Sequence, residues 1–166
     1  GIGVTRWLAS HGAEVLVTDL APQDELEDSV AKIQELVDAG VVKLRLGGHD
    51  VADFAGCDLV IASPAVPRPW DNRFLKAAES AGVLITTEIG LLIERLPNQA
   101  RTIGITGSVG KSTTTAMIAH ALQASGLEVV VGGNIGGSLL DALPSVTHGT
   151  WVVLELSSFM LHWLDR

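Results

Sequence analysis

The sequence predicts an α/β fold arranged as two successive series of strand–helix units, and three observations carry that prediction. Apolar runs of four to six residues, rich in Val, Ile and Leu, recur along the chain and have the length of strands. Polar or amphipathic stretches long enough for helices separate them. A proline-bearing polar segment, ERLPNQAR at 94–101, then interrupts the alternation. The domain boundary is therefore expected near Pro97, giving domains 1–97 and 98–166.

In chain order, GIGVTRW reads as a glycine turn opening a helix, with EVLVTD (14–19) as the first strand. Leu26, Val30, Ile33 and Val37 recur at steps of four and three, which predicts one amphipathic helix over 24–39. Strands follow at VVKLRL (41–46), DLVIAS (58–63) and VLIT (83–86), with a helix over 72–81. The second series has strands at RTIGIT (101–106), LEVVVG (127–132) and WVVLEL (151–156), and a helix over 111–125. Such short, continuous runs suit parallel strands covered on both faces. No fixed-period repeat or low-complexity segment stands out.

Composition narrows the function. Of 166 residues, 47% are apolar and 18% charged, which supports a buried core and argues against disorder. The net charge of −8 opposes a nucleic-acid partner, because a polyanion requires a surplus of Lys and Arg. No apolar run approaches the roughly 18 residues of a membrane span. A single cysteine, Cys57, excludes a disulfide framework and fits a reducing cytoplasm. The chain opens at Gly1 without a methionine and ends at LHWLDR, so it is expected to be part of a longer protein.

Five motifs carry candidate chemistry. GITGSVGKSTTTA (104–116) lies between a strand and a helix, the context of a phosphate-binding turn. Gly107, Ser108 and Gly110 would bring backbone amides to an anion. Lys111 would face the β- and γ-phosphates, and Ser112 or Thr113 would ligate Mg²⁺. Glu155 ends the run WVVLE, where a strand-end carboxylate suits a second metal contact; SSF after it could cap a helix or touch substrate. GIG at the start, with Asp19 ending the next strand, suits either a ligand turn reading a ribose or any tight turn. VGGNIGGSLL (131–140) surrounds Asn134 with glycines that permit close backbone approach, and ASPAVP (62–67) is a proline-framed turn at a strand end. Histidines 11, 49, 120, 148 and 162 share no metal-ligand spacing, and His120 is expected to pack or face solvent.

Together, GITGSVGKSTTT, GGNIGGSLLD and VLELSSF, in this order and spacing, resemble the Mur ligases of peptidoglycan synthesis. GIGVT, the VTD strand end and ASPAVP resemble the first domain of the D-glutamate-adding member. The family writes its loop T-G-x-x-G-K-[ST], which Thr106 to Ser112 matches. The resemblance implies a Rossmann-like UDP-substrate domain, here lacking its first strand, followed by the start of a P-loop-type ATP-binding domain. It further implies that ATP phosphorylates the carboxylate of UDP-N-acetylmuramoyl-L-alanine. D-glutamate then attacks the acyl phosphate. Lys111 and Glu155 would be catalytic, with Mg²⁺ held through Ser112, Thr113 and Glu155. Gly3, Val4 and Thr5 would surround the diphosphate, Thr18 and Asp19 the uridine, and Ser63 and Pro64 the same edge. Asn134 would lie against the UDP-sugar and Ser157 near the acceptor.

Departures from the family pattern are Val109 for Asn, Met160 for Gln, Arg6 for a small residue and Ala65 for Gly. The expected protein is a cytoplasmic monomer acting on small molecules, and the 166-residue piece alone is expected to bind nucleotide weakly without ligating. Alternative readings are a sister Mur ligase, a folylpolyglutamate synthase-like ligase, or a non-catalytic UDP-sugar-binding module.

Overall fold

The computed structural model describes residues 1–97 and 101–164; residues 98–100 of the expected interdomain segment, and 165–166, lie outside them. The chain forms two compact units, Gly1–Thr86 and Thr87–Arg166. The sequence places the division near Pro97, whereas helix α6 (Glu88–Arg95), just ahead of that proline, groups with the second unit. Its buried Ile89, Leu91 and Leu92 form an apolar face, and it packs against the 3₁₀ turn Leu140–Ser145 of that unit.

The first unit runs α1 (Ile2–Ser10), β1 (Val15–Thr18), α2 (Glu27–Ala31), α3 (Gln34–Asp38), β2 (Val42–Arg45), α4 (Val51–Ala55), β3 (Leu59–Ile61), α5 (Arg73–Ser80) and β4 (Leu84–Thr86). β1 pairs with β2 and β3 with β4, both in parallel, as separate two-stranded sheets. Every strand here has a neighbour on one side only. On these strands Leu16 and Leu84 are exposed, so their cover is less complete than the sequence leads one to expect.

The single helix expected over 24–39 is broken. A 3₁₀ turn (Gln23–Glu25) precedes α2, and the chain leaves helical geometry at Ile33, with φ −123° and ψ 11°. Arg6 Nη2 donates to the carbonyl of Lys32 at 2.6 Å, giving a partner to an oxygen that the interrupted ladder leaves without one. Ile33 itself is buried, so burial outweighs helical continuity at this point. The pattern of apolar steps is the same for one bent helix or two short ones. α4 and α5 carry clear caps: Asp50 Oδ1 accepts from Ala52 N–H, and Asn72 Oδ1 accepts from Phe74 and Leu75 N–H.

The second unit contains α6, β5 (Arg101–Ile105), α7 (Lys111–Ala124), β6 (Val129–Gly133), β7 (Trp151–Glu155) and α8 (Ser158–His162). Its parallel sheet has the order β5-β7-β6. β7 is central and carries the buried run Val152, Val153, Leu154, which meets the expectation of a strand covered on both faces. The register aligns Ile105, Glu155 and Gly133 across the sheet. Among the described residues, no helix is long and apolar enough to cross a membrane.

Leu154 is almost fully buried in the central strand. Leu154→Ala is expected to destabilise the second unit by about 2–5 kcal/mol through lost burial and the cavity left behind. Urea unfolding checks this value; a loss below about 1 kcal/mol would mean that the sheet is not packed as described.

Candidate functional site

Three strand ends converge in the second unit because of the β5-β7-β6 register. β5 leads into the turn Thr106–Gly110, β6 into the glycine-rich segment from Gly133, and β7 ends on Glu155. Leu156 N–H donates to Ile105 O and Asn134 N–H to Glu155 O, both at 2.8 Å, which extends the pairing one step beyond the strands.

The turn is exposed and shaped by glycine. Gly107 has φ +150° and Gly110 φ +77°, the latter at the N-cap of α7. The first hydrogen bond of α7 runs from Thr114 N–H to Gly110 O at 2.9 Å. The amides ahead of it, at Lys111, Ser112 and Thr113, are free for an anion at the positive end of the helix dipole. Lys111 Nζ folds back to donate to Gly107 O at 3.0 Å, placing its charge over the turn. Val109 is 90% exposed and contributes no polar group.

Glu155 is 2% exposed. Its Oε1 accepts from Asn134 Nδ2 at 3.1 Å, while Oε2 is buried and makes no well-formed hydrogen bond. The Ser112 hydroxyl, then the Asn134 amide and more weakly the Lys111 charge, hold the Glu155 carboxyl below its ordinary value; burial opposes them. A buried carboxylate oxygen without a partner is costly unless something cationic completes it. Ser112, Glu155 and Lys111 are thus brought together, as the sequence expectation requires. Among the described residues no group of three or more His, Cys, Asp or Glu assembles. One carboxylate beside a hydroxyl suits Mg²⁺, which takes few protein ligands and completes its shell with water and phosphate oxygens. The residues present fit Mg·ATP.

Gly133 is required where it stands. Its φ is +93°, and a Cβ there would lie 2.2 Å from Glu155 O. The sequence shows a surplus of glycines around Asn134 but does not indicate which one is sterically bound to the acid. Ser157 caps α8, its Oγ accepting from Met160 N–H at 3.2 Å.

In the first unit, Thr18, Asp19 and Ser63 line one cleft of about 270 Å³. Asp19 Oδ1 accepts from Ala21 N–H at 2.9 Å and Ser63 Oγ from Ala65 N–H at 3.3 Å, so both side chains are fixed by their own turns. Gly3, Val4, Thr5 and Pro64 are not among the residues lining that cleft. Val4 and Thr5 are buried within α1, and the Thr5 hydroxyl donates to Gly1 O at 2.9 Å. Arg6 is held at Lys32 O. The cleft also contains His49, Phe54, Asn72 and Phe74, which the sequence reading left out. His49 lies four residues beyond the end of β2 and Asn72 at the N-cap of α5; those positions were the available signal, and neither belongs to a recognisable motif. His49 and Phe74 also border a wider recess of about 500 Å³ with Arg45 and Arg73.

The second unit is therefore an α/β unit with an amide-lined turn beside a buried acid. No protein-family model matches the chain. The chain is 36% identical over 166 residues to the UDP-N-acetylmuramoylalanine–D-glutamate ligase of Geotalea daltonii, covering 100% of this chain and 35% of that protein. It is 38% identical to the enzyme of the same name from a Roseiflexus species and 41% to that of Anaeromyxobacter dehalogenans, in each case over 100% of this chain and 34% of the relative. Among solved structures, a pseudomurein peptide ligase type C from Methanothermus fervidus matches at 25% identity with a TM-score of 0.44, over 95% of this chain and 31% of that one. Along its whole length the chain is similar to these D-glutamate ligases, and it spans about a third of the length of the curated relatives it matches.

Two outcomes are expected from this geometry. Gly133→Ala forces Cβ against Glu155 O and strains a positive φ. The protein is expected to lose about 1–3 kcal/mol by chemical denaturation, and a neutral result would contradict the register. A folded-state pKa below the unfolded one means that the ionised Glu155 stabilises the fold above the ordinary carboxylate range. The thermal advantage of the native chain over Glu155→Gln is expected to be full at neutral pH. It should vanish as pH falls through the lowered value, which a pH series of melting curves checks.

Proposed function

We propose that the chain forms the substrate-binding and ATP-binding portions of an ATP-dependent ligase that joins D-glutamate to UDP-N-acetylmuramoyl-L-alanine in peptidoglycan synthesis. The observation that carries the proposal is the meeting of the amide-lined turn, Lys111 and the half-satisfied Glu155 at three aligned strand ends. The names of the relatives supply the substrates. In this reading the first unit, Gly1–Thr86, is a Rossmann-like domain for the UDP-linked substrate, and the second, Thr87–Arg166, belongs to a P-loop-type ATP domain.

The turn at Gly107, Ser108 and Gly110, with the amides of Lys111, Ser112 and Thr113, holds the triphosphate. Lys111 lies where charge builds up during phosphoryl transfer, and positioning with charge neutralisation is most of what that reaction asks of a protein. Ser112, Thr113 and Glu155 would hold Mg²⁺, which would supply charge neutralisation for phosphoryl transfer. Asn134 keeps Glu155 oriented through Oε1 and lies against the UDP-sugar, leaving Oε2 for the metal. Thr18, Asp19 and Ser63 receive the uridine in the first unit's cleft. Gly3 and Val4 contribute helix-start amides to the diphosphate, Thr5 and Pro64 shape the two turns, and Ser157 stands near the acceptor. The enzyme works as a cytoplasmic monomer on small molecules.

The test uses the full-length protein. ATP-dependent phosphate release is expected only when UDP-N-acetylmuramoyl-L-alanine and D-glutamate are both present. Release with a folate in place of the UDP-substrate, or none with both substrates, would overturn the proposal. Lys111→Ala is expected to weaken Mg·ATP binding by about 10- to 100-fold, the loss of charge-assisted contacts to phosphate, with an unchanged melting midpoint. Isothermal titration measures the change.

A further inference from the structure

We propose that Leu139 is a positioning residue for the nucleotide site: resting on the bare face of Gly132, it closes the chain reversal that carries Asn134 and so holds the Asn134 amide against Glu155. The proposal rests on the reading of the second unit's turn and acid as an Mg·ATP site, and it names what keeps that acid in its orientation.

β6 ends on Gly132 and Gly133, and the chain then doubles back. Gly136 and Gly137 have φ +79° and +80°, which lets the backbone reverse within a few residues. A Cβ at Gly136 would lie 3.1 Å from Val131 O and 3.7 Å from Gly132 Cα. The return limb therefore runs against the end of the strand it has just left. Leu139 completes the closure. A Cβ at Gly132 would overlap Leu139 Cγ and stand 2.5 Å from its Cδ1, so the leucine fills the space that a strand side chain would take. Asn134 lies midway between Gly132 and Gly136, within the reversal that these contacts close.

The two limbs are held by different forces. β7 fixes the outgoing one: Asn134 N–H donates to Glu155 O at 2.8 Å, and its Nδ2 to Glu155 Oε1 at 3.1 Å. On the return, hydrogen bonds among the described residues are local. Ser138 Oγ accepts from Leu140 N–H at 3.3 Å, and Leu139 O from Ala142 N–H at 3.0 Å. None ties residues 135–139 to β6 or β7. Apolar contact over Gly132 is what brings this limb back, and the next residue, Leu140, is fully buried. A side-chain bond already at 3.1 Å tolerates little displacement of the segment before it is lost. Partners that orient a metal-binding carboxylate carry much of its affinity for the ion. Leu139 touches neither nucleotide nor acid in this scheme; it acts through Asn134.

Titration of the full-length protein with ATP, once with Mg²⁺ and once in EDTA, tests the proposal. Leu139→Ala is expected to weaken Mg·ATP binding about tenfold and to leave metal-free ATP binding unchanged. Gly132→Ala drives a methyl group into Leu139 and should give the same metal-dependent loss. In the double variant the methyl no longer meets the leucine, so binding should be no weaker than in Leu139→Ala alone. Equal losses with and without Mg²⁺ would show a purely structural role and overturn the proposal. So would unchanged Mg·ATP binding in either folded variant, or losses that add in the double one. Failure of the native protein to bind Mg·ATP at all would instead overturn the reading of the site. Nuclear Overhauser contacts between the Leu139 methyls and Gly132 Hα, in native methyl-labelled protein, require no variant. Their absence would refute the proposal.

Discussion

Parallel pairing of β7 with a strand on each side sets the geometry of the second unit. It aligns Ile105, Gly133 and Glu155 across the sheet, so that whatever follows each strand emerges at one edge. The turn that exposes its amides, the segment that carries Asn134 and the acid itself are neighbours for that reason alone. A one-residue slip would turn Glu155 to the opposite face and bring Leu154 or Leu156 in its place. The buried run Val152 to Leu154 resists such a slip, because the core and the site are written on the same strand.

The acid is held in a tense position. Its side chain is almost wholly removed from water, yet only Oε1 makes a well-formed hydrogen bond. Ser112 and Asn134 favour the ionised form over the penalty of burial, so the charge persists in a place where charge is costly. Gly133 allows it by omitting the side chain that would otherwise push the Glu155 backbone away.

The first unit solves a different problem. Its four strands pair two by two, and apolar residues such as Leu16 and Leu84 are exposed on them. Order in its cleft comes from turns that consume their own side chains, at Asp19, Ser63 and Asn72, and from the aromatic packing of His49, Phe54 and Phe74. Arg6 donates to Lys32 O at the break between α2 and α3.

By itself the sequence determined the two strand–helix series, the strand–turn–helix at 104–113 and the strand-end acid at 155, because periodicity, glycine and lysine spacing are local properties. It left undecided the break at Ile33, since one helix and two share the same apolar steps. Only tertiary structure decided which glycine supports Glu155 and that His49 joins Thr18. Those facts depend on strand register and on which loops meet across a sheet. Contacts between residues far apart in the chain leave no periodic trace in it.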